Sequence, residues 1–201
     1  MGINLKKGQQ ISLVKEAPGL TRVLCGLGWD VAKKSGGLMQ LFKNTADLDL
    51  DATVICLDAQ DKCRTQNNIP NMVYFGNLRH PSGAITHLGD NLTGAGDGDD
   101  EQIIVDLNAV PAEIQTLLFV VNIYRCRDRK QDFSQVNNAF VRLENMETRT
   151  EIARYNLSGA DYQGSTGMLM AKLYREGNGW QLAAIGDGIQ INNLKDILKQ
   201  Y

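Results

Sequence analysis

The most concentrated chemistry in this sequence lies in thirteen residues, Gly89-Asp90-Asn91-Leu92-Thr93-Gly94-Ala95-Gly96-Asp97-Gly98-Asp99-Asp100-Glu101. Asp90, Asp97, Asp99, Asp100 and Glu101 supply carboxylates, Asn91 an amide oxygen and Thr93 a hydroxyl. Hard divalent cations want such oxygens, and calcium takes roughly 6–8 of them at flexible geometry. The interspersed glycines give the backbone freedom to wrap tightly around an ion. A second acidic set is Asp47-Leu48-Asp49-Leu50-Asp51. In an extended segment its three aspartates share one face, opposite two leucines. The spacing is not that of an EF-hand. Counting from Asp47, Ala52 stands at the turn glycine and Asp58 at the bidentate glutamate; counting from Asp90, Leu92 and Gly94 occupy ligand positions.

Charge distribution favours an ion over the default reading of a Gly/Asp-rich stretch, a solvated surface turn. Between His80 and Tyr124 there are seven acids and no Lys or Arg, whereas the whole chain carries only -2. That imbalance costs stability by self-repulsion unless a cation neutralises it. It also argues against a nucleic-acid partner, which wants positive charge on its contact surface. Magnesium fits less well than calcium, because it keeps several waters and few carboxylates.

Other motifs are poorer. Gly94-Ala95-Gly96-Asp97-Gly98 has phosphate-loop glycines but acidic flanks and no lysine. His80 and His87 follow no nucleophile motif and read as ordinary surface or satisfied core histidines. Cys25, Cys56, Cys63 and Cys126 form no CxxC pair and read as reduced, mostly buried thiols; only Cys126, between Arg125 and Arg127, has neighbours that favour a thiolate. Arg125-Cys126-Arg127-Asp128-Arg129-Lys130 reads as a solvated hairpin, and Trp29 and Trp180 as core or rim residues. No constellation of nucleophile and base stands out, so the chain reads as a binding module and not an enzyme.

The elements that must position these groups are short and mostly extended. Strands are expected at 11–14, 21–27, 49–57, 71–75, 102–107, 117–124, 136–143, 151–155, 167–174 and 181–185, several alternating with period two. The nearly continuous apolar run of Thr53-Val54-Ile55-Cys56-Leu57 fits a central strand covered on both faces. Strands at this spacing, without regular helices between them, predict an all-β sandwich or barrel in one domain. Pro111 to Ile114 reads as a single helical turn, and Asn193 to Lys199 as a short C-terminal helix capped by Asn192 or Asn193. The segment 32–46 reads as a surface loop whose Leu38, Met39, Leu41 and Phe42 form a small lid or contact patch. The N-terminus lacks a signal-peptide core, Lys6 does not suit myristoylation, and no apolar run reaches the roughly 20 residues that span a bilayer.

Gly26-Leu27-Gly28-Trp29-Asp30, Asp49-Leu50-Asp51-Ala52, the Gly89–Glu101 string and Glu151-Ile152-Ala153-Arg154-Tyr155 together resemble the TerD family of tellurium-resistance and stress proteins. The resemblance covers roughly residues 3 to 188, and the longer Lys33–Thr45 loop looks like the TerZ-type branch. It implies a β-sandwich of two mainly antiparallel sheets with a few short helices, including the C-terminal one, that binds calcium in the cytoplasm without established catalysis. By motif it implies Asp30, Asp49, Asp51, Asp90, Asn91, Asp97, Asp99, Asp100 and Glu101 as metal-site candidates. A departure is Arg125 after Tyr124, where several members carry Asp.

The sequence-based expectation is therefore one or two Ca2+ ions between the Asp49/Asp51 strand and the Asp90–Glu101 loop. Calcium would order that loop and present a surface to protein partners of a stress-response complex. A competing expectation is calcium-dependent binding to an anionic membrane surface, with Leu38, Met39, Leu41 and Phe42 inserting. A metal-dependent phosphoester hydrolase ranks third, since no water-activating base is evident.

Overall fold

The computed structural model describes residues 2–31, 48–66, 69–89, 98–157 and 162–201. The Lys33–Thr45 loop with its apolar residues, Asp47, Asp90, Asn91 and Asp97 lie outside the described residues. Alternation of apolar and polar residues builds two six-stranded sheets, with strand labels following chain order. The first sheet runs β1 (Ile3–Leu5), β12 (Thr150–Asn156), β11 (Val136–Asn145), β3 (Arg22–Val31), β9 (Glu101–Asp106), β8 (Ile85–His87). The second runs β2 (Gln10–Ser12), β14 (Gly179–Ile189), β13 (Gly167–Glu176), β10 (Thr116–Ile123), β4 (Leu50–Leu57), β7 (Met72–Val73). A small ribbon joins β5 (Thr65–Gln66) to β6 (Ile69–Pro70). Pairing is antiparallel except for β1, which lies parallel to β12. Three short α-helices, α1 (Leu13–Glu16), α2 (Cys126–Arg129) and α3 (Leu194–Leu198), and a 3-10 turn at Phe133–Gln135 complete the described elements. None of them is long and apolar enough to cross a membrane.

The two sheets enclose one core. Val23, Cys25, Leu27 and Trp29 of β3 meet Leu50, Ala52, Val54 and Cys56 of β4, with Leu117, Phe119, Val121 and Ile123 of β10 in the same cluster. The intervening residues of β4 and β10 face the opposite side of the second sheet. There Ile55, Leu57, Leu118 and Val120 form a second cluster under Ile191 and Ile197. Both strands are buried at every position, as the continuous apolar run of β4 predicts. This outer cluster has polar neighbours at one end, Asp51 and Asn122, which pair in register across β4 and β10.

Three expectations need correction. The strand expected at 11–14 stops at Ser12, and Leu13–Glu16 turns into a helix that buries Leu13. The basic run is the short helix α2 instead of a hairpin, bracketed by Arg125 and Lys130 with φ of 51° and 53°. Residues 111–114 form only a hydrogen-bonded turn, in which Ile114 N donates to Pro111 O at 3.0 Å. The C-terminal helix is present; Asn193 caps it by accepting from Lys195 N at 3.0 Å.

Candidate functional site

The described part of the acidic segment, Gly98 to Glu101, runs beside β3, where Asp100 N donates to Leu27 O at 2.8 Å, and enters β9. Two glycines of β3 make room for it. A Cβ at Gly26 would strike the Asp99 carboxylate, and one at Gly28 would meet the Phe140 ring and stand 2.7 Å from the Gly98 carbonyl oxygen. Asp99 therefore lies flat on the outer face of the first sheet. Arg142 of β11 grips it there with two hydrogen bonds, Nε to Oδ1 at 2.6 Å and Nη2 to Oδ2 at 2.7 Å, while its Nη1 reaches Glu144 at 2.6 Å. The Asp99 side chain is 1% exposed. A fork-to-fork pair of this kind is directional and charge-assisted. It engages both oxygens that a metal would need.

Asp100 turns the other way. Its Oδ2 accepts from Trp29 N at 2.8 Å. Burial, followed by the charges of Asp30 and Asp99 against the pull of that hydrogen bond, raises its carboxyl above the usual carboxylate range. Asp30 is exposed at the same end and accepts from Asn138 Nδ2 at 2.8 Å.

Glu101 reaches the second sheet. Its Oε2 accepts from Ala52 N at 2.6 Å and lies 3.3 Å from His87 Nε2. Gly89 N donates to His87 Nδ1 at 3.1 Å, so the ring proton of neutral His87 sits on Nε2, facing the carboxylate. On β4, Asp51 accepts from Asn122 Nδ2 at 3.1 Å. Just before the strand, Asp49 lies 3.5 Å from Arg129 Nη1 of α2, and its carbonyl accepts from Tyr124 N at 2.8 Å. Asp49, Asp51 and Glu101 are all buried.

The described sequence-predicted residues thus fall into three settings: Asp30 and Asp100 around Trp29, Asp99 on Arg142, and Asp49, Asp51 and Glu101 about β4. Among the described residues, no three acids, histidines or cysteines converge closely enough to hold an ion. Asp90, Asn91 and Asp97 lie outside the described residues.

Sequence reasoning missed Arg142, Arg129 and Asn122. The two arginines come from 43 and 80 residues away from their partners, Asp99 and Asp49, so the absence of basic residues between His80 and Tyr124 does not mean absence in space. Asn122 did carry a signal, as a lone polar residue in the apolar run 117–123. Burial raises the Cys25, Cys56 and Cys63 thiols. Cys126 is buried too, its thiol donating to Ile191 O at 3.7 Å, so its arginine neighbours in sequence do not make it an exposed nucleophile. His80 is a satisfied histidine: its Nδ1 accepts from Ser82 N at 3.1 Å and its Nε2 meets Asn71 Oδ1 at 2.6 Å.

Comparison with known proteins agrees with this architecture. The whole chain, residues 1–201, matches the family described as TerD domain. It is 43% identical over 203 residues to Stress response protein SCP2 of Bacillus subtilis (strain 168), covering 100% of both chains. It is 40% identical over 201 residues to Tellurium resistance protein TerD of Serratia marcescens, covering 100% of this chain and 97% of the relative. In fold it is similar to the crystal structure of a homologue of telluride resistance protein (TerD) from Streptomyces coelicolor A3(2). The TM-score there is 0.65 at 22% identity, covering 88% of this chain and 95% of that one. With a full-length family match, two β-sheets in the same arrangement and relatives named for stress response and tellurium resistance, this chain belongs to the TerD family.

Proposed function

We propose that this protein is a cytoplasmic calcium-binding module of the stress response, in which Ca2+ orders the 90–97 segment and so presents a surface to a protein partner. The observation that carries the reading is the 2.6 Å hydrogen bond from Ala52 N to Glu101. It ties Glu101, the last residue of the acidic segment, to the backbone of β4 one residue from Asp51, which supports reading the two acidic sets as neighbours. Asp49, Asp51 and Glu101 are buried carboxylates about β4, beside Arg129, the Asn122 amide and the Ala52 N–H. The donor set is all hard oxygen, which suits calcium. Asp49 and Asp51 would hold one ion with Asp90, Asn91 and Asp97. Asp30 and Asp100, whose carboxyl group burial raises above the usual carboxylate range, offer a second position. Glu101 acts from behind as the anchor. Asp99, committed to Arg142, is set aside as a ligand. Calcium would supply neutralisation of the excess negative charge; the residues would hold the loop in one conformation once that charge is balanced.

Titration calorimetry on chelator-stripped protein, with magnesium as competitor, tests this. Calcium-selective heat at one or two sites, micromolar or tighter, is expected. It should be lost in Asp49→Asn/Asp51→Asn, while the far-ultraviolet β signature remains. Full affinity in that variant, or no heat in the unaltered protein, would refute the reading. If anionic vesicles co-sediment with the calcium-loaded protein and not with the stripped protein, the presented surface is for membrane and not for a protein.

A further inference from the structure

On the outer face of the second sheet, beyond the end of the α3-covered cluster, lies a cleft of about 650 Å³. This is within the range of small-molecule sites, about 300–1,000 Å³. Asp51 and Asn122 form part of its lining, with Tyr74, Phe75 and Tyr124 on one side and Leu194 and Leu198 of α3 on another. Arg125, Arg127 and Lys195 stand at its rim.

Asn122 is the informative residue. It is 6% exposed, and its Nδ2 is committed to the Asp51 carboxylate at 3.1 Å. Flipping the amide would set oxygen against oxygen, so Oδ1 is fixed as an acceptor. That oxygen is buried and has no hydrogen-bond partner among the described residues. Buried acceptors are nearly always satisfied, and leaving one bare costs on the order of 1–3 kcal/mol. An N–H donor from a ligand would satisfy it, and the adjoining carboxylate strengthens the preference for a donor.

The walls narrow the ligand further. Phe75 and Tyr124 meet edge-to-face with centroids 6.2 Å apart, and Tyr74 meets Phe75 at 5.2 Å. Phe75 and Tyr124 nevertheless remain 42% and 40% exposed, which leaves ring surface for a flat guest. At the rim Arg125 is tied to Asp128 at 3.0 Å, whereas Arg127 and Lys195 are exposed, so the rim is net positive and selects an anionic group. A free organic cation suits the floor but not the rim; an inorganic anion suits the rim but not the floor.

We propose that this cleft binds a mononucleotide, reading an exocyclic amino group of the base with Asn122 Oδ1, stacking the ring on the aromatic wall and meeting the phosphate with Arg127 and Lys195. The site does not depend on the calcium reading, although Asp51 borders both. Calorimetry with guanosine monophosphate, run in chelator and again in calcium, is the test. Saturable sub-millimolar binding is expected in chelator. Inosine monophosphate, which lacks the exocyclic amine, should bind about tenfold more weakly, as should guanosine, which lacks the phosphate. Asn122→Ala should remove the preference for guanosine over inosine monophosphate. Arg127→Gln, at an exposed position, should weaken both nucleotides alike, keeping the test decisive if Asn122→Ala misfolds. No guanosine monophosphate binding, equal affinity for the two nucleotides, or competition by inorganic phosphate at the same concentration would overturn the proposal. Calcium heat without nucleotide heat would sink this inference and leave the calcium reading standing, and the converse would do the reverse.

Discussion

Two acidic residues, one from each acidic set of the sequence, illustrate opposite fates. Asp99, on the first sheet, is closed in by Gly26 beneath and Arg142 beside it, and both its oxygens are taken. Asp51, on the second sheet, is matched by a neutral amide, and it borders an open cleft. A carboxylate paired with an arginine is part of the architecture. A carboxylate held by an amide at the wall of a cleft stands where an entering group can meet it. The density of Asp and Glu in a segment therefore identifies an acidic region without saying which of its members face a ligand.

The largest effect should come from breaking the settled side. Arg142→Ala leaves Asp99 with the neutral Gln102 amide at 3.1 Å and Glu144 with Arg149 at 3.5 Å, and removing one member of a buried pair typically costs about 3–5 kcal/mol. Arg142 itself is only partly buried, so the lower end of that range is expected as a shift in urea midpoint. A loss near zero would mean that Asp99 finds water, and the contrast with Asp51 would collapse. Gly26→Ala probes the same corner sterically. The added Cβ must displace the Asp99 carboxylate, and a destabilisation of about 1–3 kcal/mol is expected, as for overpacking elsewhere. Combined with Arg142→Ala it should be clearly sub-additive, because both act through Asp99.

The smallest effect sharpens the comparison from the other side. The Asp100 carboxyl is raised above its usual value, chiefly by burial, so the folded protein binds a proton more readily than the unfolded chain does. Its charged form thus lowers stability above that raised value, and the penalty is relieved as pH falls toward the unfolded value of 3.8. Asp100→Asn keeps an oxygen for Trp29 N. It should raise the melting temperature slightly at neutral pH in chelator, and the difference should vanish in acid. A lower melting temperature at neutral pH would show that the charge is compensated in the folded protein without calcium.

Much of this fold is legible in the sequence, because period-two alternation and the turn residues reflect local physics. The doubly buried strand over 53–57 is read from its unbroken apolar run, and Asn193 is a local cap whose partner lies two residues away. What escapes is decided by contacts distant in sequence. The Asp99–Arg142 pair joins β11 to the acidic segment, and Arg129 of α2 meets Asp49, just before β4, from 80 residues further along the chain. The three-residue β1 and β8 are too short for any periodicity to register. The acidic segment is recognisable as a candidate site from composition, but the division between Asp99 and its neighbours depends on which sheet face each side chain meets.

The parallel pairing of β1 with β12, together with the β2–β14 ladder, has a consequence for how the chain assembles. Residues 3–5 lie against 153–155, and residues 10–12 against 181–183. Both opening strands therefore wait for partners made roughly three-quarters or more of the way along the chain, and closing such long loops is entropically slow. During synthesis the first dozen residues emerge early yet dock late. Until they do, the outer edges of β12 and β14 stand open, and unpaired edges of that kind invite pairing with another chain. The edges of β12 and β14 are thus where this fold is most open to another chain until residues 3–5 and 10–12 have docked.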